Sequence, residues 1–187
     1  MKKIIVFASG SGTNAENIIK HFKNTKIASV VSVFTNNASA KVIERAKNYQ
    51  IPVEIFSKNE LLERKVLQKI KEIDPDLIVL AGFLLKFPEN IIEQYPDKII
   101  NIHPALLPNY GGKGMYGMHI HRAVVENKEK ETGISIHFVN EHYDEGGIIF
   151  QKNVVLTEED TAETVAEKIH ELEQKYFPEI ISRLLEF

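Results

Sequence analysis

The chain contains no cysteine. That absence excludes a disulfide framework, a thiolate nucleophile and a Cys-ligated zinc site. No apolar run approaches the length of a membrane span. Positive charge is not in excess either. With 23 Lys and Arg against 26 Asp and Glu, the formal charge is -3, which argues against a nucleic-acid binder that works by bulk electrostatics. Several motifs are missing as well. The loop after the first apolar run lacks the Gly-Lys-Ser/Thr of a Walker motif. The second strand ends Phe34-Thr35-Asn36-Asn37, with no acid to hold a dinucleotide ribose. The acidic stretch at residues 140–147 does not follow the calcium-loop pattern. His103, His137 and His142 lack a zinc signature. No metal, nucleic-acid partner or membrane is therefore expected.

What is present is an alternation of strands and helices. Met1-Lys2-Lys3 followed by Ile4-Ile5-Val6-Phe7-Ala8 superficially resembles a signal peptide, but its apolar run is too short and Ser9-Gly10-Ser11-Gly12 follows at once. It reads as a first strand over residues 3–8, and cytoplasmic location is the expectation. Further strands are predicted over residues 29–35, 53–56, 77–81, 98–102, 133–139 and 148–156. Helices are predicted over 14–24, 39–49 with Ser39 as N-cap, 59–73 with Leu62, Val66, Leu67 and Ile70 on its apolar stripe, 88–94, 119–127 and 161–185. Right-handed crossovers then give an α/β fold: a Rossmann-like, open twisted and mostly parallel sheet with helices on both faces. No repeat, linker or low-complexity segment interrupts it, so residues 1–187 read as one domain.

In such sheets ligands bind beyond the carboxyl ends of the strands, near the topological switch point. Four loops there carry unusual residues. Ser9-Gly10-Ser11-Gly12-Thr13-Asn14-Ala15 is an anion cradle opening a helix, and the missing ribose acid favours a monophosphate over NAD. Gly82-Phe83-Leu84-Leu85-Lys86-Phe87 suggests a slot for a flat heterocycle, with backbone groups after Gly82 offering hydrogen bonds. Asn101-Ile102-His103-Pro104 ends the fifth strand. Alternation puts Asn101 and His103 on one face and Ile100 and Ile102 on the other, so a carboxamide and an imidazole aim at one point. Finally, Asn140-Glu141-His142-Tyr143-Asp144-Glu145-Gly146-Gly147 can fold the Asp144 carboxylate inward. Beside His103 it is expected to raise the imidazole pKa and favour the imidazolium.

Asn101-Ile102-His103-Pro104-Ala105-Leu106-Leu107-Pro108, then Gly133-Ile134-Ser135-Ile136-His137-Phe138-Val139, then Asp144-Glu145-Gly146-Gly147 together resemble the formyltransferase signature. With Gly10-Ser11-Gly12-Thr13-Asn14 at the front, the chain resembles from end to end the folate-dependent phosphoribosylglycinamide formyltransferase family of purine biosynthesis. Neither the C-terminal tRNA-binding domain of methionyl-tRNA formyltransferases nor the N-terminal regulatory domain of formyltetrahydrofolate deformylases is expected. The resemblance implies Asn101, His103 and Asp144 as the catalytic trio. It implies phosphate contacts from Gly12, Thr13 and Asn14, and places Gly82 and the segment His170-Glu171-Leu172-Glu173 at the ribonucleotide, with Glu173 on the ribose. It further implies that Leu84, Leu85, Lys86 and Phe87, together with Asn101 and Asn140, Glu141, His142, Tyr143 and Asp144, embrace the pterin of 10-formyltetrahydrofolate, the co-substrate. Lys58-Asn59 stands where many relatives carry a folate-contacting arginine, and that contact is not carried over. The glycine-rich stretch 110–118 is longer than the family's usual turn and reads either as a lid or as a surface insertion. Another formyl transfer, formyltetrahydrofolate hydrolysis, and a non-catalytic nucleotide-binding module are the alternatives.

Overall fold

The computed structural model describes residues 1–186. The strands are β1 Lys2–Phe7, β2 Ala28–Thr35, β3 Val53–Ile55, β4 Leu77–Leu80, β5 Ile99–His103, β6 Glu131–Phe138 and β7 Ile148–Val155. The helices are α1 Thr13–Phe22, α2 Val42–Asn48, α3 Lys58–Leu62, α4 Lys65–Ile73, α5 Glu89–Ile92, α6 Met118–Glu126 and α7 Ala162–Glu186. One sheet holds all seven strands in the order β3-β2-β1-β4-β5-β6-β7. The first five run parallel, and β6 and β7 close one edge antiparallel.

Side-chain alternation divides the core. Ile4, Val6 and Ala8 join residues of α1, α6 and α7 on one face. Ile5 and Phe7 meet Leu61, Val66, Ile70 and Ile91 on the other. A strand segment covered on both faces must be apolar throughout, which is why residues 4–8 read as an unbroken apolar run after the exposed Lys2 and Lys3. Among the described residues no helix is long and apolar enough to cross a membrane.

Two local expectations fail. The predicted helix 59–73 is split into α3 and α4 by Arg64, whose φ of 68° is left-handed and cannot continue a right-handed helix. The break shifts the buried stripe: Leu61 is 1% exposed, while Leu62, expected inside, is 58% exposed. Upstream, the Ser57 hydroxyl accepts from the Glu60 N–H and the Glu60 carboxylate accepts from the Ser57 N–H, a capping box that starts α3. Ser39 does not cap α2, which begins at Val42. Its N–H instead donates to the Asn37 side chain in a turn, a local bond that competes with helix.

The topology locates the cleft. From β1 the chain winds out to β3 and returns to β4 on the other side of β1, so the switch point lies between the ends of β1 and β4. Ser9 ties that junction together. Its N–H donates to Gly82 O at 3.0 Å, its hydroxyl donates to Asn36 at 2.6 Å, and the hydroxyl accepts from the Leu84 N–H at 3.0 Å.

Candidate active site

Beyond Ser9 opens a cleft of about 760 Å³. Its walls come from residues 10–14, 81–84, 101–104 and 112–117, from Tyr143 and Asp144, and from His121, His170 and Glu173. The glycine-rich stretch therefore forms a wall of the cleft, from Gly112 to Gly117.

At one end of the cleft, buried and half-buried side chains converge. Asn101 and His103 share a face of β5, and Ile100 and Ile102 pack into the core behind. The antiparallel register sets His137 of β6 opposite Asn101. His137 Nδ1 lies 2.8 Å from Phe138 O, so that nitrogen carries the proton. Its Nε2, 3.1 Å from Asn101 Nδ2, then accepts from the Asn101 amide. His103 is 4% exposed, and its Nε2 donates to Tyr110 O at 2.8 Å. That leaves Nδ1 as the nitrogen facing Asp144. Asp144 Oδ1 stands 3.6 Å from both His103 Nδ1 and His137 Nε2, and its Oδ2 accepts from the Gly112 N–H at 2.9 Å. At 3.6 Å these are close approaches rather than hydrogen bonds. Catalytic contacts often tighten only when substrate binds.

The turn that delivers Asp144 is demanding. Asp144 itself is left-handed, with φ 57°, a conformation Asp tolerates better than most residues. Gly146 packs on β6 so closely that a Cβ would lie 1.7 Å from Phe138 O. Electrostatics in the cleft run against one expectation. Burial pushes the His103 pKa below its ordinary value, and the opposing pull of Asp144 and of Tyr110 O does not offset it. Burial likewise pushes the Asp144 carboxyl up. There the neighbouring His137 and His103 rings and the Gly112 N–H outweigh it and hold the group below the usual carboxylate value.

The other end of the cleft is made of backbone. Gly12 takes φ 73° as α1 begins, and a Cβ there would meet Val42 Cγ2 at 2.4 Å. Close packing on α2 therefore requires glycine at this position. Arg45 braces the loop by donating from Nε to Ser11 O at 2.8 Å while pairing with Glu16. Asn14 donates to Glu173 Oε2 at 2.9 Å and accepts from Gln174 at 2.8 Å, which joins α1 to α7. His170 Nδ1 lies 3.6 Å from Glu173 Oε2, and that carboxylate raises the His170 pKa. Within the segment 170–173 only His170 and Glu173 line the cleft. Glu171 is exposed and Leu172 packs on the core, because residues between i and i+3 of a helix face elsewhere.

A smaller pocket of about 70 Å³ adjoins the main cleft. Leu85, Lys86 and Phe87 line one side and Asn140, His142, Tyr143 and Asp144 the other, with Asn101 and His137 between. Leu84 lines the main cleft instead. Glu141 lines neither space. Its carboxylate is exposed and turns toward His142 at 3.7 Å, so an expected folate contact is not placed there. Phe87 is mostly core, its ring edge-on to Phe7 at 5.1 Å. Lys58 lies on the exposed start of α3 and lines neither space.

Two cleft residues were not legible as such. At sequence level His137 figures only in the failed zinc test and within the resembling segment 133–139, with no site role, although its place on a strand pairing with Asn101 was the available signal. His121 lies on the buried side of α6 with Ile120 and Val124, and nothing in its helical spacing marks it as a cleft residue.

The family model for formyl transferase matches residues 2–181. The chain is 37% identical over 191 residues to the phosphoribosylglycinamide formyltransferase of Bacillus subtilis, covering 99% of this chain and 95% of that protein. It is 35% identical to the chloroplastic phosphoribosylglycinamide formyltransferase of Arabidopsis thaliana, covering 99% of this chain but only 66% of that protein's own length. The crystal structure of the Bacillus halodurans phosphoribosylglycinamide formyltransferase superposes with a TM-score of 0.89 at 38% identity, covering 98% of this chain and 95% of that one. By the extent of these likenesses and the agreement in fold, the chain belongs to the formyl transferase family.

Proposed function

We propose that this chain transfers the formyl group of 10-formyltetrahydrofolate to the amine of 5′-phosphoribosylglycinamide, a step of de novo purine biosynthesis. The observation that carries the reading is the convergence of Asn101, His103 and Asp144 at one end of a cleft whose other end is a glycine loop on a helix N-terminus. The loop suits a phosphate monoester. The adjoining pocket, walled by Leu85, Phe87 and Tyr143, suits a flat ring. Family membership and the names of the relatives agree with this reaction.

The amine lone pair attacks the formyl carbon, a C–N bond forms, and the carbonyl electron pair moves onto oxygen. Collapse then breaks the bond to the folate N10, which takes up a proton as the amine loses one. Preorganised donors aimed at the developing oxyanion lower the barrier. Asn101 serves as a neutral N–H donor. His103 donates from Nδ1 and acts as general acid. Burial alone keeps this imidazole neutral, so negative charge must accumulate beside it before the imidazolium is favoured. Asp144, held as a carboxylate, supplies part of that charge, and the oxyanion supplies the rest. Gly12, Thr13 and Asn14 hold the phosphate while His170 and Glu173 hold the ribose side, which makes attack effectively unimolecular. Folate acts as co-substrate, and neither a thiol nor a metal is needed. Residues 1–187 act as one catalytic unit in the cytoplasm, on small molecules.

Incubation with both substrates tests this, followed by absorbance of the deformylated folate. Turnover should require both and survive a chelator. Formate release without the amine acceptor would favour a deformylase, and absence of any folate chemistry would leave a nucleotide-binding module.

A further inference from the structure

One buried titratable side chain in the cleft has no part in this chemistry. His121 on α6 is 5% exposed, between Ile120 and Arg122, and it lines the cleft beside His170 and Glu173 of α7. Its Nδ1 is buried and has no hydrogen-bond partner. A buried N–H without an acceptor costs more than a bare lone pair on a nitrogen that never carried the proton. The proton therefore sits on Nε2, the nitrogen left to the cleft. Burial also pushes the His121 pKa down against the pull of Glu173, so the ring is a neutral donor.

The groups around it say what that donor faces. Glu173 Oε2 is engaged by Asn14 and approached by His170, while Oε1 makes no such contact. His121 is absent from the smaller pocket between the two proposed folate segments. Its link to the glycine loop runs through Glu173, whose charge reaches the His121 ring and whose Oε2 accepts from Asn14 at the start of α1. A neutral N–H donor beside a carboxylate acceptor and a histidine of raised pKa suits an oxygen-rich, anionic ligand.

We infer that His121 is a further ribonucleotide-binding residue, whose Nε2–H donates to an oxygen of the ribose phosphate held between the glycine loop and α7. The inference rests on the ribonucleotide reading proposed above. Calorimetric titration of phosphoribosylglycinamide into wild type and variants tests it, with folate affinity and thermal melting as controls. His121→Phe keeps the ring volume and removes the donor. Ribonucleotide affinity should fall about tenfold, with folate affinity unchanged, as for loss of one hydrogen bond with its partner left in a desolvated site. His121→Gln reaches toward the Nε2 position and should recover part of the affinity. His121→Asn reaches only toward Nδ1 and should not, and this pair carries the test if the Phe variant does not fold. Wild-type affinity in a folded Phe variant, or equal affinities of the Asn and Gln variants, overturns the inference alone. A wild-type chain that does not bind the ribonucleotide overturns the functional reading as well.

Discussion

The glycine-loop end of the cleft offers a ligand mostly main-chain N–H groups at the start of α1, braced from behind by Arg45, Glu16 and Asn14. The opposite end offers side chains, the buried His103 and His137 and the half-buried Asn101 and Asp144, held by the antiparallel pairing of β5 with β6 and by one left-handed turn. In the proposed reaction the first end recognises a fixed charge that does not change, and backbone dipoles suffice for that. In the same proposal the second end meets charge that appears and vanishes, which calls for groups whose protonation can respond. Substitutions at the two ends should therefore fail in different measurements: affinity and stability at the first, kcat and its pH dependence at the second.

The largest effect is expected from His103→Ala, which should lower kcat by about two orders of magnitude or more while both substrates still bind. Near-normal turnover in a folded variant would remove His103 from the chemistry and erase the contrast.

Asp144→Asn should cost somewhat less, about ten- to a hundredfold in kcat, because it acts largely through the imidazole. The sign of its pH effect is fixed. Asp144 raises the His103 pKa against the lowering by burial, so removing its charge lowers that pKa further. Activity that needs the imidazolium is present below this pKa and lost as pH rises through it. The loss should therefore move to lower pH in the variant, with partial rescue on acidification. NMR titration of His103 in both proteins checks this, and an unmoved pKa would detach Asp144 from His103.

Gly12→Ala should act mainly on stability. A methyl 2.4 Å from Val42, on a left-handed backbone, must displace α2 or the loop, at a cost of about 1–3 kcal/mol. Chemical denaturation should register it, and Val42→Ala in the same chain should relieve part of the loss. An additive double variant would mean that Gly12 is needed for the ligand alone.

The smallest effect is expected from Ser57→Ala, far from both ends. Loss of the capping box should cost about 1 kcal/mol and leave both KM values and kcat unchanged. A kinetic change there would mean that α3 reaches the cleft after all.

The sequence by itself determined the layers and much of the catalytic end. Residues 4–8 and 77–81 are apolar on both faces, which only a doubly covered sheet accommodates. Asn101 and His103 could be placed on one strand face because alternation is a local property of extended backbone. Local rules also erred locally: Ser39 and the uninterrupted helix 59–73 lost to an Asn37 turn and a left-handed Arg64 that propensity does not encode. Tertiary structure alone decided which partners meet across long separations. His137 joined the site through the β5–β6 register. Glu171 and Glu141 left it because the docking of α7 and the turn before Asp144 set which way their side chains face. The His103 pKa went the opposite way from a pairwise argument. A carboxylate neighbour can be guessed from sequence, whereas the amount of water excluded from around the pair exists only once the chain has closed over it.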